Sequence, residues 1–537
     1  MELALYAIIV LYFIYMCYSE VKKQLHMAQL EGYKPIQYWW WVKTNMRSII
    51  ISNVFQLIFC FIMFIVSFYN YNIAIVCTAI IGWIVLDTII SIMRKSNVKA
   101  KKPLVFTPRA SRLFTTNCIL IVIFMLIGFF ISDDLIQFLL CLAVIQFFIW
   151  LVMLISSRIN YPIEMHIQMG FKKDAAKKIS SMDNLKVIGI TGSYGKTSTK
   201  YFVKTILSEK YNTLMTPSSF NTPMGITKVI REDLTRQHEV FVCEMGARNI
   251  GDIKELCDIA HPSIGIITTI GPQHLATFKT MENIANTKYE LIEALPEDGM
   301  AVLNMDNEYC KKMWDKTKIQ KYGYSIENTE NAGGVFLRAE NIKVSKKGLM
   351  FTIKGSDGLE IECNTKLLGK VNVSNILAGA CIALKLGLTP EQIKRGIKRI
   401  EPVPHRLQIL DTNNGLTVID DAFNSNPSGS KEALETIKEL TGGRKIVITP
   451  GMVELGDIEY EENKKFGKIM AKCCDYAILV GIKRTKPILE GLKEENFPHD
   501  RIIVTATLDE ATQKFSKISK IGDIVLFEND LTDNYNE

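Results

Sequence analysis

The chain has 537 residues, a length that indicates about three domains. Its 12 cysteines are scattered and contain no Cys-x-x-Cys pair, so the composition excludes a zinc ribbon and indicates no disulfide framework. The formal charge of +7 lies largely in two loops between apolar stretches, and it therefore does not point to a nucleic-acid partner.

Five windows in the first third of the chain are nearly free of charge and long enough, or almost long enough, to cross a bilayer as helices. They are residues 2–18, 49–69, 72–93, 113–132 and 135–156. The first window lacks the basic start and the small-residue cleavage site of a signal peptide, so we interpret it as a membrane anchor.

The loops between these windows predict the orientation of the spans. Loops 19–48 and 94–112 carry five and seven Lys or Arg residues, whereas the other two connections carry none. The positive-inside rule then places the N-terminus outside and everything after Arg158 in the cytoplasm, with the basic loops against anionic membrane lipids. We therefore predict a multi-pass cell-membrane protein with a five-span region at residues 1–157 and a polar helical connector at 158–185.

Strands and helices alternate from residue 186 onward. The predicted strands are 187–190, 240–243, 264–268 and 300–303, and the predicted helices begin at 196, 251 and 281. This alternation predicts an α/β domain with a mostly parallel sheet, in which ligands bind at the carboxyl ends of the strands.

A glycine-containing turn follows the first of these strands. The turn Thr191–Gly195 leads into a helix that begins at Lys196, so its backbone N–H groups and the helix N-terminus would bind phosphate. Lys196 would reach the β- and γ-phosphates of ATP, and the Thr197 hydroxyl would hold Mg²⁺. The strict phosphate-loop pattern fails by one residue because Ile190 stands where glycine is required, and an ordinary glycine-rich turn is the alternative. The predicted ATP-binding residues here are Thr191, Gly192, Ser193, Gly195, Lys196, Thr197 and Ser198.

Three more residues at or near this edge of the sheet are candidates. Glu244 ends an apolar strand, where its carboxylate would bind Mg²⁺ shared with Thr197 or would cap the next segment. His274 follows the next strand, although a lone histidine is more often structural than a ligand. Lys288 alone has the spacing of a lysine on a helix surface.

The stretch T-G-S-Y-G-K-T-S resembles the phosphate loop of the Mur ligases, which build the stem peptides of peptidoglycan. E-M-G-A at Glu244, I-G-P-Q-H-L at His274 and A-N-T-K-Y-E at Lys288 follow in the order of the central Mur ligase domain. This resemblance implies catalytic roles for Lys196, His274 and Lys288, and it makes His274 and Lys288 metal ligands beside Thr197 and Glu244. It also implies that Lys288 is carbamylated and helps to bind a second Mg²⁺, since a neutral amine adds CO₂ to give an anionic oxygen ligand.

The resemblance extends to two further segments of the central domain, residues 186–402. The loop at 216–225 is similar to the family's substrate loop, which implies substrate contacts by Ser219, Asn221 and Thr222, although Asn221-Thr222 replaces the commoner Asn-Asn pair. Asn372 and Asn375 resemble asparagines that begin a helix beside the adenine. As N-cap residues they would need no ligand.

A second α/β domain is predicted at residues 403–537, with strands at 416–419, 445–449, 476–480, 501–505 and 523–527. D-D-A-F-N-S-N-P, which begins at Asp420, resembles the D-D-x-Y-N-A-N-P signature of the C-terminal, Rossmann-like Mur ligase domain. The resemblance implies nucleotide contacts by Arg406 and Asp421, and substrate contacts by Asn424 and Asn426 across the cleft between the domains.

The motifs over residues 186–530 are most similar to the branch that joins D-alanyl-D-alanine to UDP-MurNAc-tripeptide. They imply an ADP-forming ligase that activates a carboxylate as an acyl phosphate and joins it to an amino acid or a dipeptide. The family's UDP-binding domain has no counterpart here, so the acceptor is expected to be a small-molecule or lipid-linked wall precursor. The last strand ends in Glu528-Asn529-Asp530 where the branch usually has K-G-S, which should alter recognition of the incoming amine. A membrane-bound poly-γ-glutamate synthase and a noncatalytic membrane scaffold are the alternatives.

Overall fold

The structure is a computed structural model that describes residues 2–67, 78, 81–86, 88–89, 103–218, 220–327, 334–410, 412, 415–422, 425–453 and 455–530. The chain forms two compact units, Met1–Gly170 and Phe171–Glu537.

The described part of the first unit consists of helices. They are α1 (Glu2–Leu30), α2 (Pro35–Ser67), α3 (Pro108–Ile131), α4 (Leu135–Phe147) and α5 (Ile149–Ser180), the last of which continues into the second unit. Their shared core contains Phe13, Leu25, Tyr38, Leu142 and Met153, all buried.

The predicted membrane windows fall on these helices unevenly. Windows 2–18 and 49–69 lie largely in α1 and α2, window 113–132 lies in α3, and window 72–93 lies mostly outside the described residues. Window 135–156 is not one straight helix, because the chain bends by 61° between α4 and α5. Within the described ranges, α3 is the one helix that is long and apolar enough to cross a membrane by itself, and the bent pair α4 and α5 would add a second if it is one span.

The second unit begins its α/β structure with a nine-stranded sheet. Its strands are β1 (Lys186–Thr191), β2 (Thr213–Met215), β3 (Val240–Glu244), β4 (Ile264–Ile267), β5 (Met300–Asn304), β6 (Gln320–Ser325), β7 (Val335–Ser345), β8 (Gly348–Gly355) and β9 (Glu360–Thr365). The order is β2-β3-β1-β4-β5-β6-β7-β8-β9, parallel from β2 to β7 and antiparallel beyond. The first four predicted strands are confirmed to within two residues, whereas the antiparallel extension was not predicted.

The register of the central strands explains why polar residues meet at one edge. Ile190 pairs with Glu244 on one side and with Ile266 on the other, so β1, β3 and β4 end side by side. The helices around this sheet are α6 (Lys196–Leu207), α7 (Pro223–Glu232), α8 (Asp252–Ala260), α9 (Leu275–Phe278), α10 (Met281–Glu293), α11 (Glu308–Lys316), α12 (Lys370–Lys385) and α13 (Pro390–Lys398). Helices α6 and α12 pack closely, because Gly379 leaves room for Val203 and Ile206.

The rest of the chain forms a six-stranded sheet in the order β10-β11-β15-β12-β13-β14. Its strands are β10 (Gln408–Leu410), β11 (Thr417–Asp421), β12 (Lys445–Thr449), β13 (Tyr476–Val480), β14 (Ile502–Thr505) and β15 (Ile524–Glu528). Only β10 is antiparallel to its neighbour. Helices α14 (Pro427–Glu439), α15 (Glu459–Cys473), α16 (Lys486–Glu494) and α17 (Leu508–Ile518) accompany it. The predicted α/β fold of this region is therefore confirmed.

Candidate active site

The phosphate loop joins β1 to α6 in a conformation that needs glycine. Gly192 and Gly195 have φ values of 147° and 80°, and a Cβ atom on Gly192 would lie 2.1 Å from Thr268 Oγ1. The Ser193 hydroxyl donates to the Gly271 carbonyl oxygen at 2.8 Å, which ties the loop to the segment that follows β4. The predicted turn and helix N-terminus are both present, as anion binding requires.

The side chain of Lys196 lies over this loop. Its Nζ donates to the carbonyl oxygens of Gly192 at 2.7 Å and Ser193 at 3.0 Å. Burial lowers the pKa of Lys196 to about 8, against the opposing charge of Glu244. The amine is therefore already held next to the backbone that would surround a phosphate.

Glu244 is the centre of a buried polar cluster at the tip of β3, and its side chain is only 2% exposed. Its Oε1 accepts hydrogen bonds from Thr197 Oγ1 at 3.1 Å and from Asn221 Nδ2 at 3.0 Å. Its Oε2 lies 3.0 Å from Lys200 Nζ. The carboxylate thus faces the phosphate loop, as the metal-binding interpretation requires.

The residues around Glu244 suit Mg²⁺, a hard cation that prefers oxygen ligands. A hydroxyl and a carboxylate oxygen converge next to the phosphate loop. In the part of the chain that the structure describes, no group of three or more His, Cys, Asp or Glu residues forms a complete metal site. Thr197 and Glu244 are the described residues whose oxygens would suit a Mg²⁺ ion here.

Lys288 is buried, with only 2% of its surface exposed, so the interpretation of it as a surface lysine is wrong. Its Nζ lies 5.8 Å from the centre of the Phe278 ring. Burial lowers the pKa of Lys288 to about 7, and the positive charge of Lys196 contributes to this shift. His274 adopts a φ of 51° at the start of α9, the helix that contains Phe278 and contacts α10. The structure thus brings the segments of His274 and Lys288 together, while their roles as metal ligands stay predictions.

A cavity of about 310 Å³ lies where the two sheets of the second unit face each other. Predicted site residues from both α/β regions line it, namely Gly195, Ser198, Asn372, Asn375, Arg406, Asp421 and Asn426. Its size falls at the lower end of small-molecule sites. A larger cavity, of about 530 Å³, is lined by residues of α8 and α10 and by none of the predicted site residues.

The two asparagines of α12 lie in its first turns but do not cap it, because the N-cap residue is Gly369. Asn372 Nδ2 donates to the Leu368 carbonyl oxygen at 2.7 Å. Asn375 Oδ1 accepts from Thr199 Oγ1 at 3.1 Å and lies 2.6 Å from where a Cβ atom on Gly195 would be. Asn375 therefore supports the phosphate loop directly.

Asp421 is half-buried at the tip of β11, and its Oδ1 accepts from the Leu407 backbone N–H at 3.2 Å. Burial raises the pKa of Asp421 to about 6, although the nearby charge of Arg406 opposes this shift. Arg406 and Asp421 therefore form an oppositely charged pair of residues at the cavity.

Two predicted substrate residues cap helices. Thr222 Oγ1 accepts from the Gly225 backbone N–H at the start of α7, and Asn426 Oδ1 accepts from the Gly429 N–H at the start of α14. Their substrate contacts stay predictions. Ser219 and Asn424 lie outside the described residues.

Sequence reasoning missed the buried residue Lys200, and it did not predict that Glu528, which it singled out at the end of the last strand, is buried. Lys200 follows Lys196 by one helical turn, and this spacing was the available signal that the two lysines lie on the same face of α6. The Glu528 carboxylate accepts from Ser430 Oγ at 2.7 Å, from Thr449 Oγ1 at 2.6 Å and from the Ser425 hydroxyl. It therefore faces inward and joins three segments at the tips of the second sheet.

Comparisons with known families match both α/β regions. The family model for the Mur ligase middle domain matches residues 190–383, and that for the Mur ligase, glutamate ligase domain matches residues 405–528.

Individual relatives agree with this result. The chain is 29% identical over 343 residues to UDP-N-acetylmuramoyl-tripeptide–D-alanyl-D-alanine ligase of Bacillus subtilis, covering 64% of this chain and 72% of that protein. It is 32% identical over 294 residues to the ligase of the same name from Mycobacterium tuberculosis, covering 54% of this chain and 56% of the mycobacterial protein.

Two solved structures share the fold. MurF from Acinetobacter baumannii superposes with a TM-score of 0.61 at 25% identity, covering 67% of this chain and 77% of that one. MurF ligase from Thermotoga maritima in complex with ADP superposes with a TM-score of 0.60 at 24% identity, covering 67% of this chain and 80% of that one.

Proposed function

The chain belongs to the Mur ligase family, and we propose that it catalyses ATP-dependent formation of an amide bond in a precursor of peptidoglycan. The observation that carries this proposal is the cavity that residues of the phosphate loop line together with Arg406 and Asp421 of the second α/β region. A site assembled from two sheets suits a ligase, because it must hold ATP, a carboxylate and an amine in one place.

The chain's own residues suggest how the reaction proceeds. The N–H groups of the phosphate loop and Lys196 would hold the β- and γ-phosphates, with Lys196 exchanging its two carbonyl partners for phosphate oxygens. A substrate carboxylate then attacks the γ-phosphate to form an acyl phosphate and ADP. The amine of the second substrate displaces phosphate through a tetrahedral intermediate, and this step completes the amide bond.

We propose two Mg²⁺ positions in this site, and the metal would stabilise the charge that develops on the transferred phosphoryl group. Thr197 and Glu244 would hold the first ion. His274 and a carbamylated Lys288 would hold the second. Burial of Lys288 supports carbamylation, because it lowers the pKa of the amine to about 7 and so favours the neutral form that adds CO₂.

The relatives' names describe ligases that join D-alanyl-D-alanine to a UDP-N-acetylmuramoyl-tripeptide. We propose the same chemical classes here, with a muramyl peptide as the source of the carboxylate and an amino acid or dipeptide as the source of the amine. Asn221 lies at Glu244 and Asn426 lines the cavity, and both positions support substrate contacts. A lipid-linked muramyl peptide is the proposed alternative to the UDP-linked form, because it suits an enzyme at the membrane.

We also propose that residues 1–157 are a five-span membrane region with the N-terminus outside and the α/β domains in the cytoplasm. Helix α3 supports a membrane position, because apolar side chains such as Phe130 and Ile131 are 81% and 67% exposed on it. Reporter fusions in the basic segments 19–48 and 94–112 would test the topology. Cytoplasmic signals from both segments are expected, and a periplasmic or extracellular signal from either would refute it.

The activity is tested with the full chain purified in detergent, by following ADP release. We expect release when D-alanyl-D-alanine is offered with UDP-MurNAc-tripeptide or its lipid-linked form, and the preferred acceptor would identify the substrate. Release with glutamate alone would indicate a polymer synthase instead. The absence of release with every mixture would contradict the ligase proposal, and the Lys196→Ala variant supplies the background rate.

A further inference from the structure

We propose that Lys200 is a positioning residue that couples the Mg²⁺-binding carboxylate of Glu244 to the loop between β2 and α7. This inference rests on the proposed function, because that function makes Glu244 a metal ligand and this loop a substrate contact. Lys200 itself would touch neither ATP nor the reacting atoms.

Lys200 contacts two groups, the Glu244 carboxylate and the backbone of Ser218. Its side chain is completely buried, and its Nζ lies 3.0 Å from Glu244 Oε2. The same Nζ donates to the carbonyl oxygen of Ser218 at 2.6 Å. One ammonium group therefore holds both the carboxylate and the backbone of the loop.

Two other bonds tie this loop to Glu244. Thr216 Oγ1 accepts from the Glu244 backbone N–H at 3.2 Å, and Asn221 Nδ2 donates to Glu244 Oε1 at 3.0 Å. The described residues of the loop are thus linked to both the backbone and the side chain of Glu244. Thr216 accepts from its backbone N–H, Asn221 donates to its Oε1, and Ser218 is linked to its Oε2 through Lys200. A displacement of Glu244 would be transmitted to the loop, and the reverse would also hold.

The backbone of Ser218 indicates that the loop is held in place by these contacts. Ser218 has a φ of 41°, in the left-handed region that residues other than glycine adopt only at a cost. Such a conformation persists only when contacts with neighbouring groups stabilise it. The hydrogen bond from Lys200 to the Ser218 carbonyl oxygen is one of these contacts.

The charge on Lys200 also has a clear partner. A carboxylate that is 2% exposed needs a compensating charge, and Lys200 supplies it while leaving Oε1 directed at Thr197. Lys200 would therefore keep the Glu244 carboxylate oriented for Mg²⁺. Loss of such a supporting contact typically lowers metal affinity by about 10- to 100-fold.

The test combines hydrogen–deuterium exchange with Mg²⁺ titration on the full chain in detergent. The variants are Lys200→Met and, as the matched control, Lys204→Met one turn further along α6. Without nucleotide, Lys200→Met should speed amide exchange at Thr216, Ser218 and Asn221 about tenfold or more, while Lys204→Met should not. With ATP present, Lys200→Met should raise the Mg²⁺ concentration for half-maximal nucleotide binding about 10- to 100-fold.

Equal exchange in Lys200→Met and the wild type would overturn the coupling, as would an unchanged Mg²⁺ dependence. If Lys200→Met does not fold, Lys200→Gln keeps a donor for Ser218 without the charge. It should raise the Mg²⁺ requirement with little change in exchange, and a wild-type Mg²⁺ requirement would overturn the proposal. If the wild type binds no nucleotide, the proposed function fails, and the nucleotide-free exchange still decides whether Lys200 holds the loop.

Discussion

The amine of Lys288 is expected to be largely neutral at pH 8. Its pKa is lowered to about 7 from an ordinary value of 10.5, mainly by burial. At pH 8 about nine-tenths of such amines are neutral, against roughly 0.3% of lysines with the ordinary pKa, which is a gain of about 300-fold in the form that adds CO₂. The neutral fraction falls from about nine-tenths at pH 8 to about one-tenth at pH 6, so carbamylation should be present at pH 8 and largely lost by pH 6.

This expectation is checked by ¹³C nuclear magnetic resonance with ¹³C-labelled bicarbonate. The wild type should show a protein-bound carbamate signal at pH 8 that disappears in Lys288→Met and remains when the exposed Lys254 is replaced in the same way. ADP release should also fall in CO₂-depleted buffer and recover when bicarbonate is added. A wild-type spectrum without the signal, or an unchanged signal in Lys288→Met, would refute the reasoning.

Three further substitutions test other parts of the structure. Lys196→Ala should reduce ADP release by about a hundredfold or more, because a donor to the transferred phosphoryl group is lost, and near-normal release would contradict its role. Gly192→Ala should abolish nucleotide binding in a fluorescent-nucleotide titration, since its Cβ would lie 2.1 Å from Thr268 Oγ1, and wild-type affinity would show that the loop can rearrange. Arg444→Ala should lower the free energy of unfolding of the second α/β region by about 3 kcal/mol, because it leaves the buried Asp523 without the guanidinium 2.6 Å away. Hydrogen exchange of β12 and β15 measures this loss, and exchange at the wild-type rate would exclude it.

Local patterns predicted the elements of the α/β regions well. Apolar strands of four to six residues between polar helices set the positions of β1, β3, β4 and β5 to within two residues. The antiparallel extension from β7 to β9 was missed. The prediction relied on strands that alternate with helices, whereas these three strands follow one another directly and pair antiparallel. Local apolarity placed windows 2–18, 49–69 and 113–132 largely on helices, whereas the 61° bend between α4 and α5 inside window 135–156 was not predicted.

The phosphate loop could be predicted from sequence, because two glycines, a lysine and a threonine at fixed spacing after an apolar strand produce a local backbone geometry. Glu244 could likewise be placed at the carboxyl end of a strand, where ligands bind in a parallel sheet. Which charges are buried, and which groups they face, depends instead on the packing of elements that are distant in the chain. Lys288 is buried because α10 packs it against Phe278, and Lys200 acquires its role from Glu244 and Ser218, which lie on other elements. The burial and pairing of these residues depend on contacts between residues that are far apart in the chain. Local spacing could therefore not predict them.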